Sequence, residues 1–266
     1  MLRLDKYLSD ATAHSRKDIR LLVKRKAVTV NGRVAGAYDM KIDEAHDVVC
    51  VNGEKILYRK FIYLMLNKPQ GYLSATEDDR DPVVTDLLPE EFKHFAPFPV
   101  GRLDKDTEGL LLITDDGALN HYLLSPENRI EKTYLFYAVG QIDDEKLSHL
   151  EYGARVFPGK DSVTLPARVN ILGTTTVGEI AGLLPAEYES LARRKPQKVV
   201  TYGEVTVTEG KKHQVKHMIA YAGGKIVYLK RLAMGGLKLD ENLKSGEYRS
   251  LMSDEILLIQ NRTENV

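Results

Sequence analysis

The spacing of apolar and polar residues divides the chain into a short helical beginning and a longer region of strands. Apolar residues at helical spacing predict one helix over Leu4 to Ala11 and a second that begins after Ser15, a residue type that caps helix N-termini. The alternating segment Val28-Thr29-Val30 and the turn residues Asn31-Gly32 predict a hairpin. This beginning is therefore expected to form a small domain, and residues 53–60 are expected to be a linker.

From Phe61 onward the pattern indicates strands with occasional helices. Apolar residues alternate at Ile62, Leu64 and Leu66, and the run from Leu110 to Ile113 is typical of a buried strand. Further strands are predicted at 132–139, 163–171, 203–208 and 225–230, and helices at 143–152, 187–194 and 212–222. This mixture favours an α+β fold with a mixed, largely antiparallel sheet over a doubly wound one. The predicted domains are 1–58 and 61–260.

Length and composition narrow the class of protein. The chain has 266 residues, of which 43% are hydrophobic and 29% charged, as in ordinary globular proteins of two domains. No apolar run is long enough to span a bilayer, and the N-terminus lacks the apolar core of a signal peptide, so a cytoplasmic location is expected. The single cysteine, Cys50, excludes an internal disulfide and a multi-cysteine metal site.

The charges are segregated along the chain although the net charge is zero. Residues 1–33 hold nine Lys/Arg against three Asp/Glu, and residues 193–231 hold ten against two. Residues 77–116 hold twelve acids against four bases. Two explanations fit this pattern: a face that binds a polyanion such as nucleic acid, or a patchwork of solvated surfaces.

The most distinctive segment is Gly101-Arg102-Leu103-Asp104-Lys105-Asp106-Thr107-Glu108-Gly109, in which charged residues directly precede an apolar strand. A loop on a rigid scaffold often presents reactive side chains in this way. Taken alone, a solvated acidic loop is the commoner explanation.

This loop and four other segments resemble the pseudouridine synthases, in the branch that acts on small-subunit ribosomal RNA and its large-subunit relatives. The N-terminal region is similar to the S4 RNA-binding domain (αL-type), through Leu4-Asp5-Lys6-Tyr7-Leu8, Ser15-Arg16 and Val28 to Gly32. The five matching segments occur in the family's order: Leu64 to Gly71, Gly101 to Asp104, Glu131 to Tyr134, Glu209 to Lys216, and Leu229 to Arg231.

The resemblance implies isomerisation of a uridine in 16S ribosomal RNA to pseudouridine, with no cofactor and no metal. That reaction breaks the bond between the ribose and N1, turns the uracil within the site and rejoins it through C5. Cleaving a glycosidic bond requires a carboxylate near the anomeric carbon, and Asp104 matches the family's catalytic aspartate. Three first steps stay open to it: attack on C1′, attack on the base, or removal of a proton from C2′.

The resemblance also assigns the residues around Asp104. Lys216 is implied as its cationic partner, Tyr134 as the ring that stacks on the flipped base, and Leu229 as the apolar residue on the other side of that base. Arg102 is implied to fill the space that the flipped uridine leaves. The alternatives are a phosphate contact for Lys216 and ordinary core packing for Tyr134 and Leu229.

Further residues are expected to contact the substrate or the RNA more widely. Lys132, His213 and Gln214 are expected at the substrate. Segment 173–202 is longer than the corresponding segment usually is in family members, and its role is open. The expected RNA-binding residues of the first domain are basic: Arg3, Lys6, Arg16, Lys17, Arg20, Lys24 and Arg25.

Two other functions remain possible from the sequence. One is the same chemistry on 23S ribosomal RNA, which is less favoured because the large-subunit relatives more often carry arginine before the active-site tyrosine. The other is a non-catalytic S4 protein that binds ribosomal RNA during assembly. In each case the expected partner is ribosomal RNA or an assembly particle, and the protein is expected to be a monomer that does not contact membranes.

Overall fold

The computed structural model describes residues 1–12, 14–58 and 60–260, which form two compact units. One unit holds Met1–Ile62 with Pro89–Pro97, and the other holds Tyr63–Leu88 with the described residues from Phe98 onward. The segment Pro89–Pro97 thus clusters with the first unit, although it lies within the range predicted for the second domain. Within the described part of the chain, no helix is long and apolar enough to cross a membrane.

The first unit packs two helices against short strands. Ser15 caps the second helix as predicted: its hydroxyl accepts a hydrogen bond from the amide of Asp18, whose side chain accepts one in return from the Ser15 amide. Apolar residues of both helices, among them Leu8 and Ile19, are buried in its core. Its elements are β1 Leu2–Arg3, α1 Leu4–Ala11, α2 Arg16–Lys24, β2 Val28–Val30, β3 Arg33–Val34, β4 Lys41–Ile42, β5 Val49–Val51, β6 Glu54–Ile56 and α3 Glu90–Lys93.

The predicted linker at 53–60 is wrong in part. Within it, β6 pairs antiparallel with β5, in a sheet of order β3-β2-β5-β6. The turn Asn52-Gly53 brings the chain back along β5, because both residues adopt positive φ angles. A hairpin therefore occupies the place of the expected connection, and Arg59 lies outside the described residues.

The second unit is built on a large mixed sheet of order β11-β12-β10-β13-β9-β7-β15, as the α+β prediction expects. Its strands are β7 Tyr63–Lys68, β8 Phe98–Pro99, β9 Glu108–Thr114, β10 Lys132–Val139, β11 Arg168–Thr176, β12 Val199–Val207, β13 Lys225–Met234, β14 Leu237–Lys238 and β15 Tyr248–Ser250. Its helices are α4 Gly117–Leu124, α5 Asp144–Leu150, α6 Glu189–Arg194, α7 Gln214–Tyr221 and α8 Ser253–Gln260. Among the paired strands, β13 and β9 run parallel and the other pairs are antiparallel.

Two features of this sheet position the site. The helices α5 and α7 pack on one face of β10, β12 and β13, in a core that includes Phe136, Val205, Met218 and Leu229. The strands β9 and β13 approach very closely at Gly109, whose φ is +100° and where a Cβ would lie 2.3 Å from the carbonyl oxygen of Arg231. A residue with a side chain cannot occupy this position without moving a strand, so glycine is required here.

Candidate active site

The loop between β8 and β9 is held in place by its neighbours. The hydroxyl of Ser74 accepts a hydrogen bond from the amide of Leu103 at 3.0 Å and donates one to the Leu103 carbonyl at 3.0 Å. A further bond, from the amide of Thr107 to the carbonyl of Asp104, closes a turn at 3.0 Å. The Asp104 side chain is 30% exposed, so a loop of fixed conformation presents this carboxylate to solvent.

A buried lysine lies beneath the loop. Lys68, at the end of β7, is fully buried, and its amine donates to the carbonyls of Thr107 at 2.9 Å and Pro69 at 3.0 Å. Burial lowers the pKa of Lys68 to about 8, although the nearby acids, Asp106 first among them, oppose this change. The sequence includes Lys68 in a family-like segment but indicates no role for it. Only the fold brings its amine to this loop, 39 residues away along the chain.

Lys216 on α7 contacts two carboxylates of the loop. Its amine lies 3.2 Å from Asp104 and 2.7 Å from each carboxylate oxygen of Asp106. Burial alone would lower the pKa of Lys216, but the hydrogen bond to Asp106 and the charges of Asp104 and Asp106 outweigh burial and raise it. The expected pair of Lys216 and Asp104 is therefore present, and Asp106 shares it more closely than the sequence indicates.

The predicted site residues meet in one small cavity of about 70 Å³. Tyr134 of β10 and Leu229 of β13 lie on the sheet face that α7 covers, and Leu229 is buried. Arg102 is exposed, and within the described part of the chain it makes no hydrogen bond or ion pair. The lining includes seven of the eight residues predicted at the catalytic and substrate sites: Arg102, Asp104, Tyr134, His213, Gln214, Lys216 and Leu229.

His213 and Gln214 have different positions in this cavity. The imidazole Nε2 of His213 lies 3.4 Å from Asp104, on a residue with a positive φ of 54°. Gln214 is buried, and its side chain donates to Glu209 at 2.7 Å and accepts from the amide of Lys211 at 3.0 Å. Its polar atoms thus hold the turn that begins α7, an arrangement that positions Lys216.

Lys132 is the predicted substrate-binding residue that the fold does not bring to the cavity. Its side chain is buried, and its amine donates to the carbonyl of Ile130 at 2.8 Å. Burial and the charge of Arg231 lower the pKa of Lys132 to about 8. Lys132 therefore lies in the interior of the unit, where the sequence alone does not place it.

The basic residues predicted to bind RNA are exposed on the first unit. Arg3 pairs with Asp5 at 2.8 Å and Lys6 pairs with Asp10 at 3.0 Å. These ion pairs compensate part of the positive charge that would otherwise attract RNA phosphates. Arg20 lies over the ring of Tyr38, 4.7 Å from its centroid. The other four lie on or at the end of α2 and form no ion pair with the described residues: Arg16, Lys17, Lys24 and Arg25.

The two buried lysines predict an unusual dependence of stability on pH. Between pH 8 and 10 the folded protein has lost the protons of Lys68 and Lys132, whereas the unfolded chain keeps them. The unfolded state then binds more protons, so the free energy of unfolding rises with pH, by about 2 kcal/mol for each lysine. Above pH 10 the free energy of unfolding is expected to fall again, because burial raises the pKa of several tyrosines, most strongly those of Tyr63, Tyr188 and Tyr228; the pKa of Tyr188 rises to about 12.

Urea unfolding of the full chain from pH 7 to 11 measures this effect. The variant Lys132→Met removes one titrating group and is expected to reduce the rise between pH 8 and 10 by about half, roughly 2 kcal/mol. An unfolding free energy that stays constant or falls over this interval in the wild type would show that the lysines keep their ordinary pKa values.

The chain matches known proteins over both units. The family model described as RNA pseudouridylate synthase matches residues 62–221, and the S4 domain model matches residues 2–49. An RNA pseudouridine synthase of Bacillus subtilis (strain 168), itself named as uncharacterized, is 43% identical over 97% of this chain and 98% of its own length. Ribosomal small subunit pseudouridine synthase A of Escherichia coli (strain K12) is 33% identical over 96% of this chain and 98% of its own length.

A solved structure described as a pseudouridylate synthase is also similar, with a TM-score of 0.60 and 30% identity, covering 97% of this chain and 100% of that one. The family model alone spans more than half of the chain, and the relatives align with nearly all of it. These matches agree with the α+β fold. The chain belongs to the RNA pseudouridine synthase family: it is an isomerase with an S4 domain at its N-terminus.

Proposed function

We propose that this enzyme converts one uridine of 16S ribosomal RNA to pseudouridine and that Asp104 is its essential carboxylate. The observation that carries the proposal is the convergence of Asp104, Tyr134, Lys216 and Leu229 on one cavity, from four separate elements. A carboxylate, a cation, a ring and an apolar side chain at one place suit a flipped base whose glycosidic bond is to be broken.

Three residues of the cavity are expected to contact the uridine or to fill the space that it leaves in the RNA. The hydroxyl of Tyr134 makes no hydrogen bond to the described residues, so its ring and its polar end both remain available to the base. Leu229 supplies an apolar contact. Arg102 is exposed and forms no ion pair with the described residues, and its planar guanidinium can stack in the space that the uridine leaves.

The reaction needs only a carboxylate and proton transfer. The bond between C1′ and N1 breaks, the uracil turns, and a bond forms between C1′ and C5. N1 gains one proton and C5 loses one, so no oxidant, reductant or co-substrate is consumed. Asp104 supplies the carboxylate next to C1′, and Lys216 keeps its negative charge compensated in a partly buried place.

Two observations favour RNA as the substrate, and the first of them favours small-subunit RNA. The relatives named Ribosomal small subunit pseudouridine synthase A align with 96% of this chain. The first unit exposes basic residues of α2 that form no ion pair with the described residues, and these suit contact with RNA phosphates. The non-catalytic alternative is set aside by the family membership. The cytoplasmic location and the monomeric state stay predictions.

Transcripts of 16S and 23S ribosomal RNA labelled with tritium at C5 of uridine test the proposal. Because C5 loses its hydrogen in the reaction, we expect tritium release from 16S RNA, in an amount that corresponds to one uridine per molecule. Chemical mapping of pseudouridine then gives its position. An assembly particle is tested alongside naked RNA. Release from 23S RNA only would favour the large-subunit alternative, and release from neither substrate would contradict the proposed function.

A further inference from the structure

The segment between β11 and β12 folds as a compact cap on the sheet. It comprises residues 177–198, with short 3₁₀ turns at Ala181–Leu183 and Ala186–Tyr188 followed by α6. The amides of Val177 and Gly178 donate to the carbonyls of Lys198 at 2.9 Å and Pro196 at 2.8 Å, which closes the cap at its base. Its apolar residues pack against the sheet residues Val139, Val200 and Val227: Val177, Ile180, Leu184, Tyr188, Leu191 and Ala192.

One end of the cap lies beside the loop that carries Asp104. The side-chain amide of Gln70 donates to the carbonyl of Leu183 at 3.0 Å. The next residue, Gly71, donates its amide to the carbonyl of Lys105 at 2.8 Å. Two hydrogen bonds therefore connect the cap to the catalytic loop through one short turn.

The C-terminal part of the cap carries four exposed basic residues, which we name the basic edge: Arg193, Arg194, Lys195 and Lys198. Arg193 lies 3.8 Å from Glu189, a distance at which an exposed pair contributes little. The other three form no ion pair with the described residues. A further basic residue, Lys225, has its amine over the ring of Tyr188, 5.2 Å from the ring centroid. The apolar side chains of the cap thus pack against the sheet, whereas most of its basic side chains are exposed and form no ion pair with the described residues.

We propose that the basic edge is a second phosphate-binding surface. It contacts phosphates of the same RNA strand that lie several nucleotides away from the target uridine. The second 3₁₀ turn and α6 together contain nine residues, from Ala186 to Arg194, which corresponds to roughly 15 Å of helix. An RNA strand that runs along the cap over this length covers about four nucleotides, at about 3.4 Å per nucleotide, and we expect a separation of this order between the uridine and the contacted phosphates. This inference rests on the proposed function, because it takes RNA as the substrate.

RNA fits this surface better than an acidic protein does. These basic residues lie on an ordered scaffold in the same unit as the proposed RNA-modifying site, and charged residues are depleted at the core of protein interfaces. Exposed lysine and arginine that release counterions from a phosphate chain suffice for RNA binding.

The test is the triple variant Arg193→Gln, Arg194→Gln, Lys195→Gln in the full chain, assayed on 16S RNA fragments at 50 and 200 mM salt. We expect the triple variant to have a higher KM than the wild type and an unchanged kcat. With about 0.7 lost from the salt slope per phosphate contact, three contacts reduce the log-log slope by about 2. The ratio of the variant's KM to that of the wild type therefore shrinks about 16-fold between the two salt concentrations.

Fragment length provides a second measurement. The KM of the wild type is expected to fall once the fragment extends more than about four nucleotides beyond the uridine, whereas the KM of the variant does not. Retention of the same length dependence by the variant would overturn the proposal. So would an effect seen only with assembled particles and not with naked RNA, since the partner would then be a ribosomal protein.

Two control variants separate the basic edge from net charge. Arg193→Lys, Arg194→Lys, Lys195→Arg keeps the charge and is expected to keep the wild-type slope. Lys146→Gln, Lys238→Gln, Lys244→Gln removes three exposed charges elsewhere on the same unit and is expected to change the slope little. An equal change in this second control would overturn the proposal. If the wild type forms no pseudouridine at all, the proposed function fails; if it does and the glutamine variant of the basic edge keeps its slope, only this inference fails.

Discussion

Replacement of Asp104 by Asn is expected to reduce pseudouridine formation by at least about 10⁴-fold, because the amide has nearly the same shape but lacks the reactive negative oxygen. The affinity for RNA is expected to change little, since Asp104 contacts Lys216 and His213 rather than a basic RNA-binding surface. Single-turnover release of tritium measures the chemical step, and filter binding measures the affinity on the same RNA.

Asp106→Asn is the matched control for this experiment. It makes the same chemical change two residues away in the same loop, at a carboxylate that also binds Lys216. We expect it to remain active, with Lys216 left to pair with Asp104 alone. Substantial turnover by Asp104→Asn, or equal loss of activity in both variants, would remove Asp104 from its proposed role.

Replacement of Lys216 by Met is expected to reduce both activity and stability. It leaves Asp104 and Asp106, which lie within 3.2 Å of the same amine, without a cation between them. Because the Lys216 side chain is 27% exposed, water compensates part of the loss, and we expect the free energy of unfolding to fall by about 1–2 kcal/mol. Turnover is expected to fall along with it, since the two uncompensated carboxylates repel each other and the amine no longer holds Asp104 in position.

Urea unfolding and single-turnover kinetics on the same preparation measure the two effects. Lys216→Arg is the control, because it keeps the charge on the same helix and is expected to retain most of the stability. A Lys216→Met variant that is inactive yet as stable as the wild type would show that the amine does not compensate these carboxylates in the folded protein.

Local patterns were sufficient to predict several elements with accurate boundaries. Helix α1 and strand β10 have the bounds that periodicity predicts, and Ser15 caps α2. These features depend on side-chain spacing and on hydrogen bonds within four residues, which a sequence contains directly. Strand β11 begins at Arg168, five residues later than predicted, because its extent is set by its pairing with β12.

The amino-acid pattern alone was enough to recognise the family and the α+β fold, and to propose a carboxylate at 104, a tyrosine at 134 and a lysine at 216 for catalysis. The contacts among these side chains depend on the folded chain. Lys216 binds Asp106 more closely than Asp104, and Lys68 supports the loop from below, whereas Lys132 is directed into the interior. The physical reason is that local spacing encodes helices, strands and caps, but the distance between an amine and a carboxylate 110 residues apart exists only after the strands between them have paired.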